Sequence, residues 1–200
     1  MLLGKVFERF ATLAPVCVAA RVAMEAALAP KALDDLFGRA AARQYERTLL
    51  FSTCVGLMGT VVCRIHHTVY AAYQACVGEI GVSFNALYDK LAHLEPNISA
   101  ELVRHTARQL TPVIRQMKGE RPPLLPGYRV RILDGNHLAA TERRLKILRD
   151  VAAGALPGQT LVVLDPELGL AVDVVCGEDG HAQERSLIAS ILAQVMAGDL

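Results

Sequence analysis

Apolar residues recur at helical spacing through the first half of the chain. The longest such stretch runs from Leu36 to Arg64, and Asp34 and Asp35 before it suit an N-cap. A second stretch covers His66 to Val77 and stops in a glycine-containing segment. The pattern therefore predicts two helices in this part of the chain.

Two more helices are predicted before residue 120. Ser83 can cap the segment FNALYDKLAHL, whose apolar residues return every three or four positions. Pro96 and Asn97 then interrupt the pattern, and Ser99 begins a helix that reaches about Lys118, with Gly119 closing it. The residues expected to face inward on this last helix are Leu102, Leu110, Val113, Ile114 and Met117.

The period changes after the proline-rich segment ERPPLLPG, residues 120–127, because three prolines there prevent a helix from continuing. YRVRILDGNHL alternates in the manner of a strand that ends at Asp134-Gly135-Asn136. QTLVVLD and LGLAVDVVC, separated by a turn at Pro166–Gly169, predict a β-hairpin. The helical segment AQERSLIASILAQVMAG follows, with Leu187, Ile191 and Val195 on its apolar face.

These elements predict an α+β chain with a helical region over residues 1–119, a linker over 120–127 and a sheet-containing part over 128–200. Three strands and one helix leave sheet edges unpaired, so the second part looks unfinished and is expected to be prone to self-association. We therefore expect the chain to be an N-terminal fragment, with a loose, protease-sensitive part beyond about Glu120.

Composition and cysteine usage favour the cytoplasm. The hydrophobic fraction is 52%, but the strongest membrane candidate, Leu49–Cys63, is shorter than the roughly 20 residues of a spanning helix. A buried core helix is the preferred interpretation, and the N-terminus does not resemble a signal peptide. Five cysteines without a CxxC pair favour a reducing compartment.

Charge is distributed unevenly along the chain. Residues 104–149 carry eleven basic and three acidic side chains, whereas residues 150–200 carry one basic and eight acidic. A basic segment of this kind suits contact with nucleic-acid phosphates, and a solvated surface is the alternative. Eight of the eleven basic residues form two groups, Arg104, Arg108, Arg115 and Lys118 on the last helix of the helical region, and Arg143, Arg144, Lys146 and Arg149 after the first strand.

Asp134 is the main catalytic candidate. A carboxylate fixed at a strand end beside Gly135 suits a divalent metal, and the alternative is an Asp-Gly turn. Asp165 is interpreted as the first residue of a turn, and Asp173 as a solvent-facing residue in mid-strand. Glu184 is either a metal contact or a favourable charge at a helix N-terminus, the latter being preferred.

Zinc is a weaker alternative for the helical region. Cys63 and His66 lie one helical turn apart, with His67 and Cys76 nearby, but the sequence has no second pair at ligand spacing.

Four segments resemble transposases of the insertion-sequence-four group of DDE enzymes. They are QYERTLLFSTCVGLMG, FNALYDKL, RILDGNHLAATERRLK and VVLDPELGLAVDVVCGEDGHAQERSL, and the D-G-N strand end is the most specific part. The resemblance extends over nearly the whole chain. It implies an incomplete ribonuclease-H-like mixed sheet, Asp134 as the first catalytic and metal-binding acid, Mg²⁺ or Mn²⁺ as cofactor, and transposon-end DNA as partner in a nucleoid-associated cytoplasmic protein.

The two other acids of that family have no matching position in this sequence, which ends where the next strand is expected. The chain is therefore expected to be inactive alone. Two rival hypotheses remain: a non-catalytic DNA-binding or dimerising remnant, and a small membrane-associated helical protein built on Leu49–Cys63.

Overall fold

The computed structural model describes residues 12–44, 48–138, 158–177, 184–192 and 198–199, and these form an α+β structure. Six helices precede a three-stranded antiparallel sheet, and a seventh follows it, among the described residues. The helices are α1 Pro15–Ala27, α2 Pro30–Ala40, α3 Phe51–Val62, α4 Val69–Ile80, α5 Phe84–Ala92, α6 Pro96–Gln116 and α7 Glu184–Leu192. The strands are β1 Ile132–Leu138, β2 Gly158–Asp165 and β3 Leu170–Gly177.

The single long helix expected from Leu36 to Arg64 is wrong, because α2 ends at Ala40 and α3 begins at Phe51. The chain leaves the helix here because the Glu95 carboxylate, from the N-cap of α6, accepts backbone hydrogen bonds from residues 42–44. The three N···O distances are 3.2, 2.9 and 3.0 Å. These hydrogen bonds hold the backbone outside a helical conformation.

Asp34 is also not the N-cap that its position in the sequence indicated. It lies inside α2, and its carboxylate accepts hydrogen bonds from the backbone N–H and the hydroxyl of Ser52, at 2.8 and 2.9 Å. Leu50, the N-cap residue of α3, has no side chain that could accept these bonds. Asp34 therefore caps α3 from a neighbouring helix.

The next helices show how local capping sets the boundaries. α4 begins at Val69, later than expected, because the Thr68 hydroxyl accepts a hydrogen bond from the third helical N–H, and Gly81 ends the helix with a φ of 68°. The Ser83 cap of α5 is confirmed, with its hydroxyl 3.3 Å from the backbone nitrogen of Ala86. Short polar side chains thus place these two helix starts.

Helix α6 begins at Pro96 rather than at Ser99, because proline is suited to the first helical position. Lys118 takes the left-handed position after the helix, with a φ of 55°, and the Gly119 N–H closes the turn onto the Ile114 carbonyl at 2.8 Å. Met117 is exposed, contrary to expectation. The buried residues of α6 are Ile98, Ala100, His105 and Ala107.

The described residues of the helical region form two apolar clusters. One is formed mainly by α3, α4 and α5, around Leu57, Ala72 and Leu87. The other brings Phe37 of α2 against Phe51 of α3, with ring centroids 5.5 Å apart. The interpretation of Leu49–Cys63 as a core helix is confirmed, because Phe51, Cys54 and Leu57 of α3 are buried. In the part of the chain that the structure describes, no helix has the length and apolarity needed to cross a membrane.

The three strands pair in the order β1-β2-β3, and both pairings are antiparallel. The β2–β3 hairpin is confirmed, including Asp165 as the first residue of its turn. The Asp165 carboxylate accepts hydrogen bonds from the backbone nitrogens of Glu167 and Leu168, both at 3.0 Å. It also pairs with the guanidinium of Arg131, so one buried acid supports both the turn and the start of β1.

The sheet is packed against one helix that precedes it in sequence, α6, and one that follows it, α7. Ile191 of α7 is buried against Leu161 and Val163 of β2. Helix α6 packs against β3, so the last helix of the helical region directly contacts the sheet. The linker also contacts the hairpin, since the Arg121 N–H donates to the Glu167 carbonyl at 2.8 Å.

Candidate functional site

Asp134 is the third residue of β1 and lies opposite Val162 of β2, with its side chain exposed. The strand was expected to run from Tyr128 and to end at Asp134-Gly135-Asn136, whereas β1 begins at Ile132 and ends at Leu138. Ile132 pairs with Leu164, one residue before the end of β2. Leu138 pairs with Gly158, the first residue of β2. Asp134 therefore lies inside a paired strand.

The register also defines the face on which Asp134 lies. Directly paired residues of an antiparallel sheet point to the same side, so Asp134 shares a face with Val162 and Val174. Val163, which packs against α7, belongs to the opposite face. The Asp134 carboxylate thus lies on the side of the sheet away from α7.

The described residues do not gather other acids around Asp134. Within them, no group of three or more His, Cys, Asp or Glu side chains is arranged to hold a metal ion. Asp165 and Asp173 each bind an arginine of this chain. Glu184 begins α7, and its side chain lies outside the part that can be described. One carboxylate does not fit a two-metal centre, since each divalent ion needs several oxygen ligands.

The interpretation of Asp173 as a solvent-facing residue is wrong. It is buried, and its carboxylate receives a hydrogen bond from Arg104 Nε at 2.7 Å. The reason is that α6 covers β3, so a charged residue in mid-strand meets a charged residue of the helix. Arg104 also donates to the Glu101 carboxylate at 2.7 Å. Its partly buried guanidinium is thus bound by two carboxylates of the chain itself, where the sequence suggested a phosphate contact.

The remaining basic residues of α6 are more accessible. Arg108 lies 3.7 Å from Glu101 with 62% of its side chain exposed, and Arg115 pairs at 3.1 Å with the exposed Glu120. Lys118 is exposed just after the helix. The other proposed DNA contacts, Arg143, Arg144, Lys146 and Arg149, lie outside the described residues, as does Val195.

The structure adds a groove of about 360 Å³ between α2 and α6 that the sequence did not indicate. Its lining residues are Leu36, Arg39, Ala40, Asn97, Glu101, Arg104 and Arg108. Arg104 and Arg108 are one helical turn apart, which the sequence does show. Arg39 is contributed by a different helix, so only the tertiary structure brings it to the same groove.

Electrostatics in the groove are dominated by its arginines. The hydrogen bond from Arg104, together with the positive charges of Arg104 and Arg108, lowers the pKa of Glu101 despite its partial burial. Glu101 is therefore an ionised partner of two guanidinium groups.

Comparison with known proteins gives no relative: no family model, curated protein or solved structure matches this chain. The transposase hypothesis accordingly depends on the sequence motifs and on the chemistry of the residues described above.

Proposed function

We propose that this chain belongs to the machinery of DNA transposition, as a DDE-type transposase in which Asp134 is one of the catalytic carboxylates. The observation that supports this most directly is an exposed carboxylate on the first strand of the sheet, beside Gly135 and without a hydrogen-bond partner among the described residues. An acid used to stabilise the fold would be expected to have a partner, as Asp165 and Asp173 do.

Three further features agree with this proposal. The D-G-N segment that carries the family resemblance lies within β1. β2 separates β3 from β1, so Asp173 is not a neighbour of Asp134 in the sheet, which agrees with the proposal because Asp173 is not one of the proposed catalytic acids. Basic side chains of α6 remain accessible for DNA phosphates. The described residues form an α+β structure with an antiparallel sheet, and a ribonuclease-H-like topology is part of the proposal.

A second candidate function is a non-catalytic DNA-binding or dimerising role. The observation that favours it is that the described residues bring no other acid to Asp134, since phosphoryl transfer assisted by two metals requires several converging acids. This alternative retains the basic residues as DNA contacts and gives Asp134 no part in chemistry.

Manganese-induced broadening of NMR signals separates the two candidates. We expect Mn²⁺ to broaden the amide signals of Leu133, Gly135 and Val162, and to do so more strongly when a DNA duplex contributes phosphate ligands. Asp134→Asn should abolish this effect while DNA affinity is retained. Asp35→Asn is the matched control, because it also removes one exposed carboxylate. DNA binding without Asp134-dependent broadening would refute the catalytic role and support the second candidate.

A further inference from the structure

The groove between α2 and α6 has an unusual charge balance. Three guanidinium groups, from Arg39, Arg104 and Arg108, line it together with one carboxylate, from Glu101. The remaining lining residues are Leu36, Ala40 and Asn97, which carry no charge. Asp173, which does not line the groove, also pairs with Arg104, so the three guanidinium groups face two carboxylates and one positive charge remains for an anionic ligand to neutralise.

The three arginines are held differently. Arg104 is anchored at the base, since it binds both Asp173 and Glu101 at 2.7 Å and is 27% exposed. Arg108 is 3.7 Å from Glu101, longer than a hydrogen bond, and it is largely exposed. Arg39 is exposed and has no hydrogen-bond or ion-pair partner within the described part of the chain. Two guanidinium groups are therefore available to a ligand beside a third that is fixed.

The floor of the groove is a packed contact between α2 and α6. Leu36 is buried in the cluster that also contains Ile98, so α2 and α6 pack against each other directly below the arginines. The Asn97 side chain donates to the Ala40 carbonyl and joins the end of α2 to the first turn of α6. Arg39 and Arg108 thus belong to two helices that pack against each other and share a hydrogen bond.

We propose that this groove is a phosphate-binding site in which the guanidinium groups of Arg39 and Arg108 donate hydrogen bonds to the phosphate oxygens. Guanidinium groups bind phosphate oxygens through paired, charge-assisted hydrogen bonds, and a volume of about 360 Å³ leaves room for the groups bonded to the phosphorus. If the proposed function is right, the phosphate belongs to the backbone of DNA. Binding of the phosphate itself does not depend on that function.

Removing the negative charge of Glu101 is expected to strengthen phosphate binding. Its carboxylate competes with the ligand for Arg108 and repels an anion, so Glu101→Gln should increase affinity for phosphate. Arg39→Ala and Arg108→Ala should each reduce it, by roughly tenfold for a lost charge-assisted contact. Arg21→Ala is the control, because it removes an exposed arginine from α1, away from the groove.

The experiment titrates inorganic phosphate into the full chain and each variant, followed by NMR shifts of the α2 and α6 amides, with circular dichroism to verify folding. Higher affinity in Glu101→Gln and lower affinity in Arg39→Ala and Arg108→Ala would support the site. Unchanged affinity in both arginine variants, or an equal loss in Arg21→Ala, would overturn it.

A second titration, with a mixed-sequence DNA duplex, identifies the source of the phosphate. If the groove holds one DNA phosphate, Arg39→Ala/Arg108→Ala should lower the slope of log affinity against log salt by about 1. Weaker phosphate binding with an unchanged duplex slope would rule out DNA and indicate a free phosphate. Displacement of phosphate by poly-glutamate but not by the duplex would overturn the DNA assignment in favour of an acidic protein segment. The manganese experiment on Asp134 can fail without changing any of these results.

Discussion

Arg104 of α6 and Asp173 of β3 form an ion pair, with 2.7 Å between Nε and Oδ1, that joins the helical region to the sheet. Asp173 has 9% of its side chain exposed, so water has little access to its carboxylate and Arg104 is its main polar partner. Glu101 contacts the same guanidinium from the preceding turn of α6 and helps to orient it. The ion pair therefore joins the helical region to the sheet, which the proline-rich segment 120–127 separates in sequence.

Arg104→Ala should lower the free energy of unfolding by about 3 kcal/mol, because it leaves the buried Asp173 carboxylate without its cation. Asp173→Ala should cost less, since Glu101 and water can still solvate Arg104. Urea unfolding of both variants and of the double variant measures the coupling. Arg21→Ala, which breaks an exposed pair, should change stability by less than about 0.5 kcal/mol. Losses that simply add in the double variant would disprove a direct interaction.

Capping of α3 by Asp34 leads to a second prediction. Asp34→Ala should reduce stability by about 1 kcal/mol, because the backbone N–H and hydroxyl of Ser52 lose their acceptor. Asp35→Ala is the matched control, since Asp35 is the exposed neighbour on the same helix. Thermal or urea unfolding of both variants is the measurement, and equal losses would show that Asp34 acts only through the helix it belongs to.

The elements that were predictable from the sequence depend on contacts between near neighbours. The β2–β3 hairpin has its turn residues adjacent to the strands they join, and the Ser83 cap acts three residues along the chain. Patterns of this range are visible in a linear sequence. The same is true of Asp165, whose carboxylate binds backbone groups two and three residues ahead.

Elements that were not predictable depend on distant residues. Residues 42–44, which follow α2, donate backbone hydrogen bonds to Glu95, about fifty positions away in sequence. The helical spacing of apolar residues around them gave no sign of this contact. Asp173 is buried because Arg104 lies 69 positions from it on a helix that covers β3. The groove needs Arg39 from α2 and Arg108 from α6. The sequence motif made Asp134 a candidate, whereas its exposure and its position within a paired strand required the structure.

Glu95 should make stability sensitive to acid. Hydrogen bonds from the backbone N–H groups of Arg43 and Gln44, with a smaller contribution from Ala42, hold the pKa of Glu95 below its ordinary value of 4.5. A carboxyl whose pKa is lower in the folded state stabilises that state above its unfolded pKa. This stabilisation is lost as the pH falls below about 4.5 and through the folded pKa.

Stability measured by urea unfolding between pH 2.5 and 6 tests this linkage. Glu95→Gln keeps the shape of the side chain but does not titrate, so its stability should depend less steeply on pH below about 4.5 than that of the unmodified chain. Asp35→Asn, which removes an exposed acid, should leave the steepness unchanged. Parallel curves for Glu95→Gln and the unmodified chain would contradict the assigned role.

The chain incubated alone with labelled duplex DNA and Mn²⁺ should bind it without Asp134-dependent cleavage. A single carboxylate cannot position two divalent ions at a phosphodiester, and the described residues bring no second acid to Asp134. Product analysis on denaturing gels, with Asp134→Asn alongside, provides the measurement. Cleavage by the unmodified chain that disappears in Asp134→Asn would mean that further acids complete the site.

Binding of DNA through the 104–149 segment should be sensitive to salt and only weakly dependent on sequence. Arg143 and Arg144 are adjacent basic residues in the most basic part of the chain, and each is assigned to a different phosphate. Replacing both with alanine should reduce the slope of log affinity against log salt by up to about 2, because each lost phosphate contact removes nearly one released counterion. Fluorescence anisotropy with a duplex at several salt concentrations measures that slope, with Arg21→Ala as the control for general charge.

The double change at Arg39 and Arg108 should lower the slope only half as much, since those two arginines share one phosphate. An unchanged slope in Arg143→Ala/Arg144→Ala would mean that these two arginines lie on a solvated surface and do not contact DNA. The groove would then be the principal phosphate contact.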